Sequence, residues 1–169
     1  MVDWNQIKEE IRRIARQDVC LAFSGGVDSS ILLKLLCDAA GQEGSRVYAV
    51  TFQTRLHSPA DLETARKVAE ETGAVHCVLE VDESENEAIL YNPVDRCYLC
   101  KKYLFSRLIQ FGKEHGVQVF LDGTNADDLH VYRPGIRALR ELGIRSPLAE
   151  LGITKEQVRE MAAALGLSV

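Results

Sequence analysis

The fold of this chain is decided by the stretch Val19-Cys20-Leu21-Ala22-Phe23-Ser24-Gly25-Gly26-Val27-Asp28-Ser29-Ser30-Ile31-Leu32-Leu33. Its apolar start predicts a buried parallel strand, and its apolar end predicts a helix. The glycines between them let the backbone turn sharply and approach an anion with no Cβ in the way. A helix N-terminus adds a partial positive charge, so the stretch predicts a phosphate-binding strand, turn and helix.

Polar side chains in this turn extend the prediction. Ser24, Ser29 and Ser30 supply hydroxyl donors, and we expect Ser29 or Ser30 to cap the helix. Asp28 would repel phosphate unless a cation lay between them, which predicts magnesium. Neither G-x-x-x-x-G-K-[ST] nor G-x-G-x-x-G fits the sequence, so two common nucleotide loops are excluded. The alternative is a serine-rich turn that happens to open a helix.

Composition limits the classes of protein. At 169 residues and 46% hydrophobic, the chain predicts one domain over residues 1–169. A net charge of −5 without a basic run argues against a nucleic-acid partner and against a free-standing tRNA-modifying enzyme. No apolar run approaches the roughly 20 residues that span a bilayer, and no signal peptide is evident, so we expect no membrane partner and a cytoplasmic protein. Five cysteines favour reduced thiols.

Alternating periodicities predict an α/β fold: a doubly wound, mostly parallel sheet with helices on both faces. The expected strands are 19–23, 46–52, 74–81 and 117–121, and residues 165–169 resemble the start of another. The expected helices are 3–16, 29–40 ended by Gly41, 58–72 closed by Gly73, 96–115, 136–142 and 154–165. The acidic segment 80–87 predicts a solvated turn or short helix, and 122–135 a polar loop.

Two cysteines, Cys97 and Cys100, lie three residues apart near a predicted helix start, beside Arg96 and Lys101. Cationic neighbours and a helix N-terminus lower the pKa of a thiol. A zinc site needs two more ligands, and no histidine pair has a spacing that supplies them. Three roles stay open for this pair: packing, contact with a substrate, or binding of a metal or cluster.

The carboxyl ends of the second and fourth strands meet the glycine loop at one edge of the predicted sheet. Thr51 and Phe52 end the second strand. The fourth is followed by Asp122-Gly123-Thr124-Asn125-Ala126-Asp127-Asp128 and later by Arg133. Paired acids at that edge can hold magnesium between phosphates. The alternative is a solvated, Asx-rich turn.

These motifs resemble a known family. Ser24 to Ser30 matches the PP-loop, S-G-G-x-D-S-[ST], of the N-type ATP pyrophosphatases. The later motifs are similar to those of the LarE-type ATP-dependent sacrificial sulfur transferases, over essentially the whole chain and in the same order. They are Arg96-Cys97-Tyr98-Leu99-Cys100-Lys101, the segment from Asp122 to Asp128, Arg133-Pro134-Gly135 and Arg145-Ser146-Pro147-Leu148.

The resemblance implies an enzyme that cleaves ATP between its α and β phosphates and transfers AMP to a carboxylate of a pyridinium mononucleotide. Sulfur then displaces AMP during synthesis of a nickel-pincer cofactor. It implies ATP and Mg²⁺, a small nucleotide-like substrate and a homo-oligomer. The family's chains continue beyond the point where this sequence ends, and their sulfur-donating cysteine lies in that later part, so no residue here is assigned as donor.

The resemblance also assigns roles to residues. Ser24, Asp28 and Lys101 are expected to be catalytic, and Asp28, Asp127 and Asp128 to bind metal. The expected ligand-binding residues are Ala22, Phe23, Ser24, Gly25, Gly26, Asp28, Ser29, Ser30, Thr51, Phe52, Arg96, Gly123, Thr124, Asn125 and Arg133. Two alternatives stay open: an amidation with ammonia, as in NAD or GMP synthetase, and a non-catalytic regulator that binds ATP or AMP.

Overall fold

The computed structural model describes residues 3–53, 59–81, 96–130 and 134–167. Helices and strands alternate along the chain. The strands are β1 (Val19–Ala22), β2 (Val47–Gln53), β3 (Val75–Glu80) and β4 (Val119–Leu121). The α-helices are α1 (Trp4–Ile14), α2 (Val27–Glu43), α3 (Pro59–Thr72), α4 (Arg96–Glu114), α5 (Pro134–Glu141), α6 (Pro147–Glu150) and α7 (Lys155–Leu165), and a 3-10 helix spans Asp127–His130.

The four strands form one parallel sheet in the order β3-β2-β1-β4. The chain first moves outward from β1 to β3 and then returns past β1 to reach β4. The strand order therefore reverses between β1 and β4, and a crevice at the carboxyl ends of these two strands is the expected ligand site in such a sheet. The glycine loop follows β1 and the segment from Asp122 follows β4, so the topology brings both to this crevice.

Successive side chains of a strand point to opposite faces of the sheet, so the core has two parts, one on each face. Val19 and Leu21 pack with α1, α2, α3 and α7 on one face, whereas Cys20 packs with α4 and α5 on the other. A strand covered on both faces must be apolar at every position, and that is the pattern of β1. The predicted parallel sheet with helices on both faces is confirmed. A single domain over 1–169 stays a prediction.

Helix α2 differs from its prediction at both ends. It does not end at Gly41 but continues to Glu43, where Gly44 adopts a left-handed φ of 76° and its N–H donates to Ala40 O. Left-handed backbone terminates a helix, and Gly41 has no such φ. At the other end the N-cap is Gly26, without a side-chain cap. The expectation that Ser29 or Ser30 caps α2 was wrong, because both lie inside the helix.

Other boundaries differ by a few residues. β4 starts at Val119 rather than at 117, and α5 starts at Pro134 rather than at 136. The short helix α6 was not predicted. Arg145 just before it forms a parallel bridge with Leu121, extending the β4 edge. The acidic segment expected at 80–87 lies mostly outside the described residues. Among the helices of the described ranges, none has the length and apolar character needed to cross a bilayer.

Candidate active site

The loop between β1 and α2 takes its shape from neighbouring residues. Gly25 has a φ of 84°, which side-chain-bearing residues rarely adopt. A Cβ on Gly25 would also lie 3.1 Å from the backbone of Ala65 in α3. Gly26 N donates to Ser24 Oγ at 3.3 Å, and the Ser24 and Ser29 hydroxyls are 3.2 Å apart. The loop is therefore a tight turn that directs its serine hydroxyls to one side.

The first turn of α2 suits an anion. Its N-cap, Gly26, offers no side-chain acceptor, so within the described part of the chain no N-cap side chain occupies the N–H groups that begin the helix. Such free N–H groups, together with the helix dipole, stabilise phosphate oxygens. Ser29 Oγ donates to Gly26 O at 3.3 Å, and its oxygen remains able to accept. Ser30 behaves differently: its hydroxyl is buried and has no hydrogen-bond partner among the described residues.

The loop after β4 is held by side chains. Asn125 and Asp128 exchange two hydrogen bonds of 3.1 Å: Asn125 N donates to Asp128 Oδ2, and Asp128 N donates to Asn125 Oδ1. Asp122 Oδ2 accepts from Thr124 Oγ1 at 2.7 Å. Gly123 lies so close to α2 that a Cβ on it would be 3.0 Å from Ser29 N. The second loop is thus packed directly against the first turn of α2.

Asp28 joins the two loops. Its Oδ2 accepts from Asn125 Nδ2 at 3.3 Å, and its Oδ1 accepts from Lys155 Nζ at 3.1 Å. Lys155 is the first residue of α7, and its backbone N donates to Asp127 Oδ2 at 2.9 Å. A carboxylate with both oxygens engaged by donors is held in one orientation. Asp28 therefore lines the crevice between the loops, and the hydrogen bonds from Asn125 and Lys155 fix the orientation of its carboxylate.

The end of β2 forms a third wall. Thr51 Oγ1 donates to Phe23 O at 2.8 Å and lies 2.8 Å from His76 Nε2 on β3. Since the single hydroxyl proton of Thr51 goes to Phe23 O, His76 Nε2 carries a proton and donates to Thr51. Burial lowers the pKa of His76, and Arg66 lowers it further, against a smaller opposing effect of Glu70. The carbonyl of Phe23, just before the glycine loop, is thus held by two successive hydrogen bonds.

These walls enclose an open cavity of about 370 Å³. Its volume lies in the range of ligand sites, roughly 300 to 1,000 Å³. One side is polar and the other is apolar, where Phe52 and Phe105 meet edge to face at 6.0 Å. Predicted residues that line it are Ala22, Phe23, Ser24, Asp28, Ser29, Thr51, Phe52, Lys101, Gly123, Thr124 and Asp128. Residues not predicted also line it: Gln53, Leu62, Leu104, Phe105 and Asp122.

The remaining predicted site residues lie elsewhere. Gly25, Gly26, Asn125 and Asp127 belong to the two loops and Ser30 to α2, but these five are not among the residues that line the cavity. Arg96 begins α4, although its side chain lies outside the described part of the chain, as does Arg133 altogether. The side chain of Cys97 is likewise outside it. Lys101 projects from the same helix into the cavity, with Nζ 5.8 Å from the centre of the Phe105 ring.

The carboxylates that the structure describes at this cavity do not form a three-ligand metal cluster by themselves. Within residues 3–53, 59–81, 96–130 and 134–167, no three side chains of His, Cys, Asp or Glu converge as metal ligands. Asp28 and Asp128 both line the cavity, whereas Asp127 accepts from the backbone of Lys155. Magnesium commonly uses one or two protein carboxylates and takes its other ligands from water and substrate phosphates. Asp28 and Asp128 fit that requirement.

Sequence reasoning missed Lys155 and Asp122. The start of α7 was predictable, because Thr154 and Gln157 form a capping box. Nothing in the sequence indicated that the lysine next to the cap reaches Asp28, which is 127 positions away. Asp122 belongs to one of the sequence motifs, but the motif alone assigns it no role. A carboxylate at the carboxyl end of a strand beside the phosphate loop was the available signal.

The fold and the two facing loops define a nucleotide-binding α/β domain of the PP-loop type. The chain belongs to the asparagine synthase family, whose model, described as Asparagine synthase, matches residues 9–140.

Curated relatives give a finer comparison. The chain is 41% identical over 147 residues to an uncharacterized protein of Synechocystis, a match covering 87% of this chain and 54% of that protein. It is 37% identical over 152 residues to pyridinium-3,5-bisthiocarboxylic acid mononucleotide synthase of Lactiplantibacillus plantarum, covering 90% of this chain and 54% of the relative. The chain thus spans about half the length of these relatives. The second match confirms the resemblance to the LarE-type family.

Solved structures support the fold. NH3-dependent NAD synthetase from Campylobacter jejuni superposes with a TM-score of 0.73 at 19% identity, covering 99% of this chain and 75% of that one. The U34-tRNA thiolase NcsA from Methanococcus maripaludis gives a TM-score of 0.69 at 19% identity, covering 98% and 66%. Likeness at this level of identity shows the shared architecture alone.

Proposed function

We propose that this chain binds ATP in the cavity and transfers AMP to a carboxylate of a pyridinium mononucleotide, releasing pyrophosphate. In the whole protein this step would prepare the carboxylate for sulfur insertion. The observation that carries the proposal is the pairing of a phosphate loop with Lys101 in one cavity. The name of the relative from Lactiplantibacillus plantarum, a synthase of a bisthiocarboxylic mononucleotide, supports the choice of acceptor.

The loop residues would act on the leaving group. N–H groups at the start of α2 and the hydroxyl of Ser24 would bind the β and γ phosphates, where negative charge accumulates as the α–β bond breaks. Ser29, whose hydroxyl proton goes to Gly26 O, would line the cavity beside them. Donors that are already oriented stabilise such charge without reorganisation. The acceptor's carboxylate oxygen forms the new bond to the α phosphorus, and pyrophosphate leaves with the electron pair of the broken bond.

The opposite wall would hold the substrates. Thr51 and Phe52 would flank the adenosine, and Gly123 and Thr124 would approach it from the second loop. Lys101 would bind the acceptor's negative groups, because an ammonium group at the cavity wall attracts a carboxylate or phosphate. Asp28 and Asp128 would hold Mg²⁺, which offsets phosphate charge when it is bound. The roles of Arg96 and Arg133, the homo-oligomer and the cytoplasmic location remain predictions.

Pyrophosphate release from ATP and magnesium tests the proposal, measured with and without a pyridinium biscarboxylate mononucleotide. Mass spectrometry would detect the AMP adduct. We expect release that depends on the acceptor and an adduct of the expected mass. Release with ammonia and no adduct of this acceptor would instead support amidation, and ATP binding without any release would support a regulator.

Asp28→Asn tests the role of the carboxylate in the same assay. We expect loss of magnesium-dependent turnover with the fold intact, because an amide is a poor magnesium ligand. The matched control is Asp38→Asn on the same helix. Asp38 pairs with Lys34 at 3.0 Å on an exposed surface, so its substitution should leave turnover unchanged. Unchanged turnover in Asp28→Asn would remove this residue from the site.

A further inference from the structure

Ser146 occupies a helix-capping position without capping the helix. It is the N-cap of α6 and precedes Pro147, an arrangement in which the serine oxygen normally accepts from an N–H of the first turn. Its side chain makes no such bond. The hydroxyl instead donates to Asp122 Oδ1 at 2.5 Å, and Ser146 is only 1% exposed. The Ser146 hydroxyl, which would ordinarily cap the helix, thus bonds to Asp122 in the cavity wall.

The carboxylate that receives this bond is buried and turns the second loop. Asp122 is 8% exposed and accepts from Thr124 Oγ1 at 2.7 Å and from Thr124 N at 3.3 Å. Both of these donors belong to the residue two positions later, so they close a local turn. Ser146, by contrast, donates to Asp122 from a part of the chain 24 positions away. Burying a carboxylate is costly unless it is hydrogen-bonded, so each donor restricts where the group can lie.

The turn has little freedom to move. Gly123, at its centre, lies where a Cβ would be 3.0 Å from Ser29 N, and Thr124 lines the cavity. Asp122 N also donates to Arg145 O at 2.9 Å, so the residue before Ser146 holds the same turn through the backbone. A displacement of Asp122 would therefore alter both the cavity wall and the contact with the phosphate-binding helix.

We propose that Ser146 is a positioning residue for the nucleotide site: through Asp122 it fixes the turn that presents Gly123 and Thr124 to ATP. The inference rests on the proposed function, since it requires that ATP occupies this cavity. It gives a role to the segment Arg145-Ser146-Pro147-Leu148, which forms no part of the proposed chemistry.

The test compares Ser146→Ala with Ser146→Thr in the whole protein, with ATP affinity measured by calorimetry in the presence of magnesium. Far-UV circular dichroism at the same temperature would establish that each variant is folded. We expect Ser146→Ala to weaken ATP binding about tenfold, because a hydrogen bond to a charged group is removed. Ser146→Thr should restore the affinity. Ser106→Ala, which removes an exposed hydroxyl bonded to Lys102 O on α4, is the control and should change nothing.

A double-mutant cycle with Asp122→Asn separates positioning from packing. If Ser146 acts through Asp122, Ser146→Ala should weaken ATP binding far less in the Asp122→Asn background than in the wild type. Equal losses in both backgrounds would overturn the inference, as would an unchanged affinity in folded Ser146→Ala. If the wild type binds ATP but releases no pyrophosphate, the proposed function fails while the affinities still decide the role of Ser146. If the wild type binds no ATP, both fail.

Discussion

The two loops that face each other across the cavity are built in different ways. In the first, Ser24 to Ser29, the hydrogen bonds of the serine hydroxyls each join residues two to five positions apart. Asp28 is the residue of this loop that accepts from distant donors, Asn125 and Lys155. The second, Asp122 to Asp128, depends on distant parts of the chain. Ser146 donates to Asp122, Ala126 N donates to Ile153 O at 2.8 Å, and Lys155 N donates to Asp127. The conformation of the first loop therefore depends mainly on residues within it, whereas the conformation of the second depends on contacts with distant residues.

This difference separates two kinds of substitution. A change inside the first loop should damage the site directly, because the hydrogen bonds of its serine hydroxyls lie within the loop and its residues line the cavity. A change in the second loop should have a smaller effect, since several contacts hold it. The hydrogen bonds from Asn125 and Lys155 to Asp28 are the point at which the loops meet. Substitutions in the first loop and in the residues that support the second loop test whether the two loops differ in this way.

Gly25→Ala should have the largest effect. A left-handed φ costs a residue with a Cβ about 1–2 kcal/mol. The new Cβ would also lie 3.1 Å from the Ala65 backbone, and overpacking of this kind costs about 1–3 kcal/mol more. We expect destabilisation by roughly the sum of these costs, measured by urea unfolding, and loss of detectable ATP binding.

Gly44→Ala is the matched control. It also has a left-handed φ, of 76°, but a Cβ there would meet nothing within 4 Å. It should therefore show the cost of φ alone and leave ATP binding unchanged. If Gly25→Ala proved no more harmful than Gly44→Ala, the close packing of the first loop on α3 would have no energetic importance.

Gly26→Ala should separate binding from stability. Gly26 has an ordinary φ of −72°, and a Cβ would lie 3.4 Å from Ser24 Oγ, which is a normal contact. The backbone angle at Gly26 thus does not require glycine, and the free energy of unfolding should fall by no more than about 0.5–1 kcal/mol, because alanine is a poorer N-cap than glycine. A phosphate approaching the backbone would meet the new Cβ, so ATP affinity should fall tenfold or more, by about 1.4 kcal/mol or greater.

A Gly26→Ala variant with unchanged affinity would place the phosphates away from this part of the loop. Equal losses of stability and affinity would instead show that the folded loop itself requires glycine. The two variants therefore test whether Gly25 is required for the fold of the loop and Gly26 for the approach of the ligand.

Lys155→Met should have a moderate effect, through the second loop. The substitution keeps the length of the side chain and removes the ammonium group that lies 3.1 Å from Asp28 Oδ1. Asp28 keeps its bond from Asn125, so the carboxylate loses only part of its support. We expect ATP affinity to fall, because the orientation of Asp28 is less well fixed. The fall should be limited to about three- to tenfold, because the ion pair is partly exposed and screened by solvent. Isothermal calorimetry measures the change.

Lys34→Met provides the control, since Lys34 forms an equally short pair with Asp38 on the outer face of α2. It should leave ATP affinity at the wild-type value. If both variants behaved alike, the pair between Lys155 and Asp28 would be an ordinary surface ion pair without a role at the site.

The same structural difference between the two loops explains which parts of the site were predictable from the sequence. The PP-loop and the sheet were predictable because strand periodicity, glycine and a helix start are adjacent in sequence. Lys155, Ser146 and His76 were not, because their partners lie 127, 24 and 25 positions away. A capping pattern at Thr154 predicts where α7 starts, yet it carries no information about which side chain the next residue meets.

His76 provides the smallest and most specific test, because it shows that even the first loop has one distant support. Its imidazole donates to Thr51, which donates to Phe23 O just before the loop. Burial lowers the pKa of His76 in the folded state, so the unfolded chain binds more protons between the two pKa values. This contribution to stability is present above the unfolded pKa of about 6.5 and is lost as the pH falls. In His76→Gln, which keeps an N–H donor, urea unfolding should therefore show a weaker loss of stability between neutral and mildly acidic pH than in the wild type. Parallel pH dependences in the two proteins would mean that the imidazole is not buried in this hydrogen-bonded chain.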